Sequence, residues 1–346
     1  MTIAVLGSGA VALAAALFRA RYGPVVLAGR PAEAAMPAVE RVPAPLLTLL
    51  LELGVVPAEL DVDRLTRDRV VAWEDPVPTA RSGPACAHLD RTALVDALWR
   101  RVRECPEVRV VPPVRAPGDL DAARVVDATG RRALTAAQRA HPAPVWVATC
   151  CTVARGDLDP MMRLAASPTG YAYRLGSAQW LTVAWVGPGP PPADGAAVRR
   201  RIVDGGAGWL VGDVDLGQAL VARRVASVAV AAPSEDTRVV AIGDAALGRD
   251  ALASQGTAIG LSDARLAAGP DADRARRTLG ARHLDGLERH LRHLAGTLGS
   301  CHHRAAPAWQ SYRRWVDGGP RFLSSPSSDA RRAVWAVGRS VAHDGG

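Results

Sequence analysis

The chain predicts an α/β fold: a Rossmann-like dinucleotide-binding domain discontinuous in sequence, an inserted antiparallel β-sheet domain and C-terminal helices. Three observations carry this. The run Ile3-Ala4-Val5-Leu6-Gly7-Ser8-Gly9-Ala10-Val11-Ala12 reads as a buried strand, a glycine turn and a helix start, the cradle of a dinucleotide pyrophosphate. The same grammar returns late in Val239-Val240-Ala241-Ile242-Gly243-Asp244-Ala245-Ala246, followed by Ser254-Gln255-Gly256-Thr257-Ala258-Ile259-Gly260. Between the two, from about residue 144, the hydrophobic pattern changes to alternating runs rich in strand formers.

The two ends make sense only together. Residues 1–143 and 232–270 are therefore expected to form the nucleotide-binding domain, 144–231 the sheet domain that binds substrate, and 271–346 a helical C-terminal region. Residues 2–6 and 25–28 read as the first two parallel strands, with the alanine-rich 10–22 as the helix between them. The proline-rich stretch 31–45 reads as a loop, and a short helix begins at Leu46 and stops near Gly54. Leu94, Leu98 and Val102 fall at helical spacing within 91–104, and 108–111 and 124–127 are further strands. Val145–Val153, Tyr171–Leu175, Gln179–Val186 and Ala226–Ala231 supply the antiparallel sheet, with the Pro/Gly run 187–195 as a loop. The chain returns to the nucleotide domain at 238–265, and 271–298 is helical.

Composition narrows the function. At 346 residues the chain buries a substantial core and exceeds the usual single domain. No apolar stretch is long enough to span a bilayer, and the first strand begins at the N-terminus without room for a signal peptide. A soluble cytoplasmic protein is expected. The formal charge of +8 rests entirely on arginine, because the chain has neither lysine nor asparagine. Those arginines are spread along the chain, which fits a solvated face and a high-GC codon bias better than nucleic-acid binding. The five cysteines have no Cys-x-x-Cys spacing, and Cys301-His302-His303 has no second ligand cluster, so neither a disulfide framework nor a metal site is expected.

The late Gly243-Asp244-Ala245 resembles the motif with which FAD-dependent monooxygenases of the p-hydroxybenzoate-hydroxylase type bind the ribityl chain. Asp90-Arg91-Thr92-Ala93-Leu94 is similar to the family's Asp-Arg-x-x-Leu element, and Asp127-Ala128-Thr129-Gly130 to its Asp-Ala-Thr-Gly turn. These ordered motifs cover positions 3 to 260. The resemblance implies FAD as cofactor, with Gly7, Gly9 and Ala10 at the pyrophosphate and Arg91 beside it. It places Arg30 near the adenosine and Asp244 on a ribityl hydroxyl. The helix opened by Gln255, Gly256 and Thr257 would aim its N-terminus at the pyrimidine end of the flavin. Two positions depart from the pattern. Gly29 stands where the family carries an acidic residue for the adenosine ribose, with Glu33 as a substitute candidate, and Ala251 follows Asp250 where the family has proline.

Tryptophan halogenases share many of these motifs but depend on a lysine and a Trp-x-Trp-x-Ile-Pro segment. This chain has no lysine, and Trp180 and Trp185 are differently spaced, so lysine-dependent halogenation is not expected. A nearer resemblance is to the LodB/GoxB-like flavoproteins of quinone-cofactor biogenesis, carried by Pro43-Ala44-Pro45-Leu46-Leu47, Ser254-Gln255-Gly256 and the Arg/Trp-rich 313–322. It implies hydroxylation of an electron-rich aromatic substrate through a flavin C4a-hydroperoxide, with a tryptophan side chain of a partner protein or peptide as the substrate. Electrons would come from NAD(P)H or a flavin reductase, because no separate NAD(P)H-binding domain is apparent. Two alternatives stay open: a flavin dehydrogenase or reductase without oxygen insertion, and a non-catalytic peptide-binding scaffold. No acid–base residue is assigned from sequence. His88 reads as structural, and Tyr171, Tyr173 and Trp180 as core residues of the substrate sheet.

Overall fold

The computed structural model describes residues 2–31, 36–62, 64–136, 139–140, 145–212, 214–231, 234, 236–253 and 255–324. Glu33, Ser254 and everything after residue 324 lie outside them. The strands run β1 (Ile3–Leu6), β2 (Val25–Ala28), β3 (Val39–Pro43), β4 (Leu65–Ala72), β5 (Thr79–Asp90), β6 (Val108–Val111), β7 (Arg124–Asp127) and β8 (Arg139–Ala140). They continue with β9 (Trp146–Ala154), β10 (Met162–Ser167), β11 (Gly170–Gly176), β12 (Trp180–Pro188), β13 (Leu220–Val225), β14 (Ala229–Ala231), β15 (Val239–Ala241) and β16 (Leu247–Gly248). The helices are α1 (Ala10–Ala20), α2 (Pro45–Glu52), α3 (Arg91–Glu104), α4 (Gly195–Asp204), α5 (Gly208–Val211), α6 (Gly256–Ala267), α7 (Ala272–Ser300) and α8 (Pro307–Ser324).

β15-β7-β1-β2-β6 form one parallel sheet, so the late strand β15 pairs with β7, beside β1, as the repeated motif required. The strands are short and buried, reading Val/Leu/Ile on both faces, as a sheet covered on both sides demands. Small residues let α1 lie close to this sheet and to α6: Ala12, Ala14 and Ala16 are fully buried. Leu13, Leu94, Leu98, Leu261 and Ala264 fill the space between α1, α3 and α6.

The second sheet has the order β13-β9-β12-β11-β10-β4-β5-β3. Its pairings are antiparallel except β10 with β4, which makes it mixed. The sequence pattern found its β9, β11 and β12, but the sheet also takes β3, β4 and β5 from the segment 39–90. Part of the stretch read as a proline-rich loop is the edge strand β3, tolerated because Pro43 ends it. A third, three-stranded sheet (β16-β14-β8) bridges the two. Behind the large sheet, α7 and α8 close an aromatic core in which Trp146 stacks on Tyr312 at 4.7 Å and meets Trp309 edge-on at 5.1 Å. Among the described residues no helix is long and apolar enough to cross a membrane, and no cluster of potential metal ligands occurs.

Candidate functional site

The carboxyl ends of β1, β2 and β7 open onto a cavity of about 1100 Å³ that extends to the large sheet. Ligands of open parallel sheets lie at such strand ends. The β1–α1 turn shapes one wall. Gly7 has φ +126°, and a Cβ there would sit 2.6 Å from the Ala128 carbonyl oxygen, so only glycine lets β1 and β7 close as they do. Gly9 precedes α1 with open space around it, and Ala10 is the first helical residue. The Gly7→Ala variant is expected to lose about 2–4 kcal/mol of stability through strain and clash. Urea unfolding measures this, and a loss below about 0.5 kcal/mol would contradict the geometry.

Neither α1 nor α6 has a side-chain cap on its first turn, so two sets of free backbone N–H groups face one cavity. Gln255, Gly256 and Thr257 open α6, and Asp244 lies in the adjoining single turn Gly243–Ala245. The Asp244 carboxylate meets Arg131 Nε at 3.3 Å, while Arg131 also donates to the carbonyls of Ser227 and Arg249. Arg91 opens α3, whose N-cap Asp90 accepts from Thr92 N at 3.0 Å and from Ala38 N at 3.2 Å. Asp90 thereby fixes both the helix start and the chain entering β3. The Arg30 amide donates to Ser8 Oγ at 3.0 Å. Gly7, Gly9, Ala10, Arg30, Arg91, Asp244, Gln255, Gly256 and Thr257, every residue assigned to binding from sequence, line this one cavity.

Asp127 is different. Fully buried, it accepts from the amides and hydroxyls of Thr129 and Thr135, so it builds the turn after β7 and does not enter the cavity.

Both departures from the resembled pattern have local reasons. A Cβ at Gly29 would lie 2.3 Å from the Gly7 carbonyl oxygen, so any side chain there collides with the first turn. Ala251 donates its amide to the Ala226 carbonyl at 2.9 Å, a bond that proline has no hydrogen to make.

Several polar residues of the site have no local sequence signature. Glu40, on β3, joins Arg91 (3.1 Å) to the Thr257 hydroxyl, which donates to it at 2.6 Å. Asp250 lines the cavity with Tyr171 but is itself buried. Its carboxylate accepts from the Tyr171 hydroxyl at 3.4 Å, from the Leu252 amide at 2.8 Å and from the Tyr312 hydroxyl. Its own amide donates to His290 Nε2 at 3.2 Å. Burial pushes the Asp250 carboxyl above the usual carboxylate range, and burial drives both tyrosines well above theirs. Burial, then the Arg249 charge, lowers His290 to about 3. The sequence marked Asp250 only as the residue before a missing proline. The partner that defines it, Tyr312, is 62 positions away and visible only in the fold.

This architecture recurs among solved structures. The peptidyl tryptophan dihydroxylase QhpG, described as essential for tryptophylquinone cofactor biogenesis, superposes with a TM-score of 0.72 at 23% identity. The match covers 90% of this chain and 78% of that one. This is the fold of flavin-dependent halogenases and hydroxylases. The tryptophan halogenase from Shewanella frigidimarina matches with a TM-score of 0.72 at 12% identity, over 94% of this chain and 82% of that one. The myxobacterial chondrochloren halogenase CndH, described as a variant of FAD-dependent halogenases, gives 0.67 at 16% identity, over 93% and 89%. No protein-family model matches the chain, and none of the curated proteins does. The fold class expected from the sequence, with its discontinuous nucleotide-binding sheet, is the one found.

Proposed function

We propose that the protein is an FAD-dependent monooxygenase that hydroxylates an electron-rich aromatic substrate, a tryptophan side chain in a partner protein or peptide. The observation that carries this reading is the convergence of β1–α1, α3, the Gly243–Ala245 turn and the α6 N-terminus on one cavity roofed by an aromatic sheet. The residues present fit FAD. The Gly7 turn and the open backbone at Gly9 leave room for a pyrophosphate, which the first-turn amides of α1 would bind. Asp244 offers a carboxylate to a ribityl hydroxyl, and the uncapped first turn of α6 offers N–H groups to the flavin carbonyls. Reduced FAD supplies the oxygen atom, drawn from dioxygen, when bound. The likeness in fold to a peptidyl tryptophan dihydroxylase supports the substrate class.

Within that reading, the chain's own residues bind, exclude water and move one proton. Hydroxylation of an aromatic carbon releases the hydrogen it carried as a proton. Asp250, on the cavity wall and held by Tyr171 and Tyr312, is placed to accept it, and its raised pKa makes it the stronger base. Electrons come from NAD(P)H or through a flavin reductase.

A titration with oxidised FAD followed by visible spectroscopy, then anaerobic reduction and exposure to oxygen with a tryptophan peptide, tests the reading. A bound flavin spectrum and a peptide heavier by one or two oxygen atoms are expected. Flavin reoxidation with an unchanged peptide mass would mark a dehydrogenase or reductase. Peptide binding without FAD binding would mark a scaffold.

A further inference from the structure

The large sheet ends on β3 at one side and on β13 at the other. Two backbone bonds fix which way the amides of β13 point. Ala226 N donates to Trp146 O at 2.8 Å and Arg155 N to Gln179 O at 2.7 Å, so the even-numbered residues of β9 bond to β13 and the odd-numbered ones to β12. On β13, Leu220, Ala222 and Arg224 therefore face β9. The N–H and C=O groups of Val221, Arg223 and Val225 point outward, and among the described residues nothing bonds to them. No residue of β13 is buried, whereas most of β9 is.

Edge strands are usually guarded by charge, by proline or by a covering segment. β3 is guarded: the Val39 amide donates to the Thr182 hydroxyl at 3.0 Å, and Pro43 has no N–H. On β13 the two charged side chains are drawn off the edge. Arg223 donates to the carbonyls of Pro192 and Ala193, and Arg224 turns to Glu40 at 3.9 Å. The strand also runs into the cavity, which Arg224, Val225 and Ala226 line. Ala222 stands opposite Cys150, another cavity residue, so the face that carries Ala222 and Arg224 is the one turned to the cavity.

We infer that β13 takes up the substrate peptide as an added antiparallel strand, bonded at Val221, Arg223 and Val225, with the tryptophan beside Arg224 and its ring directed into the cavity. This rests on the proposed action on a tryptophan within a peptide and adds how that peptide is held. Main-chain bonds give affinity with little demand on sequence, and the pleat sends every second side chain to the cavity face. Antiparallel pairing continues the pattern of β11, β12, β9 and β13. In that arrangement the residues before and after the tryptophan exchange bonds with Val225 and Arg223, while the tryptophan's own N–H faces away.

Binding of the blocked peptide Thr-Val-Thr-Trp-Thr-Val-Thr to the full chain, measured by calorimetry and by hydrogen exchange resolved to single amides, tests this. The peptide is expected to bind at least about tenfold more tightly than N-acetyl-tryptophanamide. N-methylation of the residue before or after the tryptophan should cost about three- to tenfold each, and N-methylation of the tryptophan itself should cost less than about twofold. In the free chain the amides of Val221, Arg223 and Val225 should exchange freely while those of Ala222 and Arg224 are protected, and the peptide should slow the first three by at least about tenfold. Val221→Pro removes one outward N–H and no bond to β9, so it should weaken the peptide about tenfold and leave N-acetyl-tryptophanamide unaffected. Should that variant not fold, the wild-type exchange and the methylated peptides decide. A methylation cost that is uniform or confined to the tryptophan, no new protection on β13, or a peptide no tighter than the single residue would overturn the inference. Failure of the monooxygenase reading looks different: FAD does not bind, or the peptide pairs with β13 and gains no oxygen. A peptide that gains oxygen while the three amides stay unprotected removes the added strand alone.

Discussion

Between about pH 6.5 and pH 4, folding stability is expected to fall with acidification by about 1.4 kcal/mol per pH unit for each of two buried histidines. His88 and His290 are 4% and 5% exposed. Burial is the larger cause of both depressed values, about 4 and about 3, with Arg41 disfavouring the charge on His88 and Arg249 and His293 that on His290. An unfolded histidine takes up its proton near pH 6.5, whereas these two refuse it in the fold until far lower pH. The unfolded chain therefore binds more protons throughout that window. The stabilisation is complete above the unfolded value and is lost as the pH falls towards the folded one. Asp250 works the other way, because its raised pKa lets the folded state take up a proton first. Urea unfolding at successive pH values measures the net slope. His88→Gln and His290→Gln keep a neutral polar side chain at each site and should each flatten it. A wild-type stability that stays level down to about pH 4.5 would contradict the burial of these rings as neutral groups.

The parts of the fold legible in the sequence are those in which a short segment states its own geometry. β1, the Gly7 turn and α1 are contiguous, as are the Gly243–Ala245 turn and α6, and α3 is found over the residues expected, 91–104. Gly7 and Gly243 take positive φ and Asp90 caps α3, and each of these residue choices records the local backbone geometry. β3, β4 and β5 escaped because their pairing is non-local and their faces are mixed. Arg67, Asp68 and Arg69 sit within β4, which is largely exposed over its first half, so no clean alternation appears. Glu40 and Arg41 went unnoticed with them, although they are the charged residues that β3 brings to the cavity. Asp250 escaped for a different reason. Its surroundings join a helix-proximal turn, β11 and α8, and a carboxylate whose partners come from three segments has no signature in any one of them.

On the proposed FAD-dependent hydroxylation, replacing Asp250 by asparagine is expected to lower turnover by about 10²–10³-fold while leaving FAD affinity within a few-fold of wild type. The shape of the side chain is kept and the proton acceptor is lost. A carboxylate base works only when ionised, so wild-type turnover should decline on the acid side of a pKa above the usual carboxylate range, and that limb should vanish in Asp250→Asn. Tyr312→Phe separates a chemical role from a structural one. The Tyr312 hydroxyl donates to the carboxylate and holds its pKa down against the effect of burial. Without it the acid limb should move to higher pH, and stability should drop by about 1–2 kcal/mol. A merely structural Asp250–Tyr312 contact predicts the same stability loss with no movement of the limb. Full turnover in Asp250→Asn, or an acid limb that stays in place in Tyr312→Phe, would remove Asp250 from the chemistry. Tyr171 makes the weaker bond at 3.4 Å, so Tyr171→Phe should move the limb in the same direction by less. That ordering depends on the geometry of one buried carboxylate and can be read from the pH profiles of three variants.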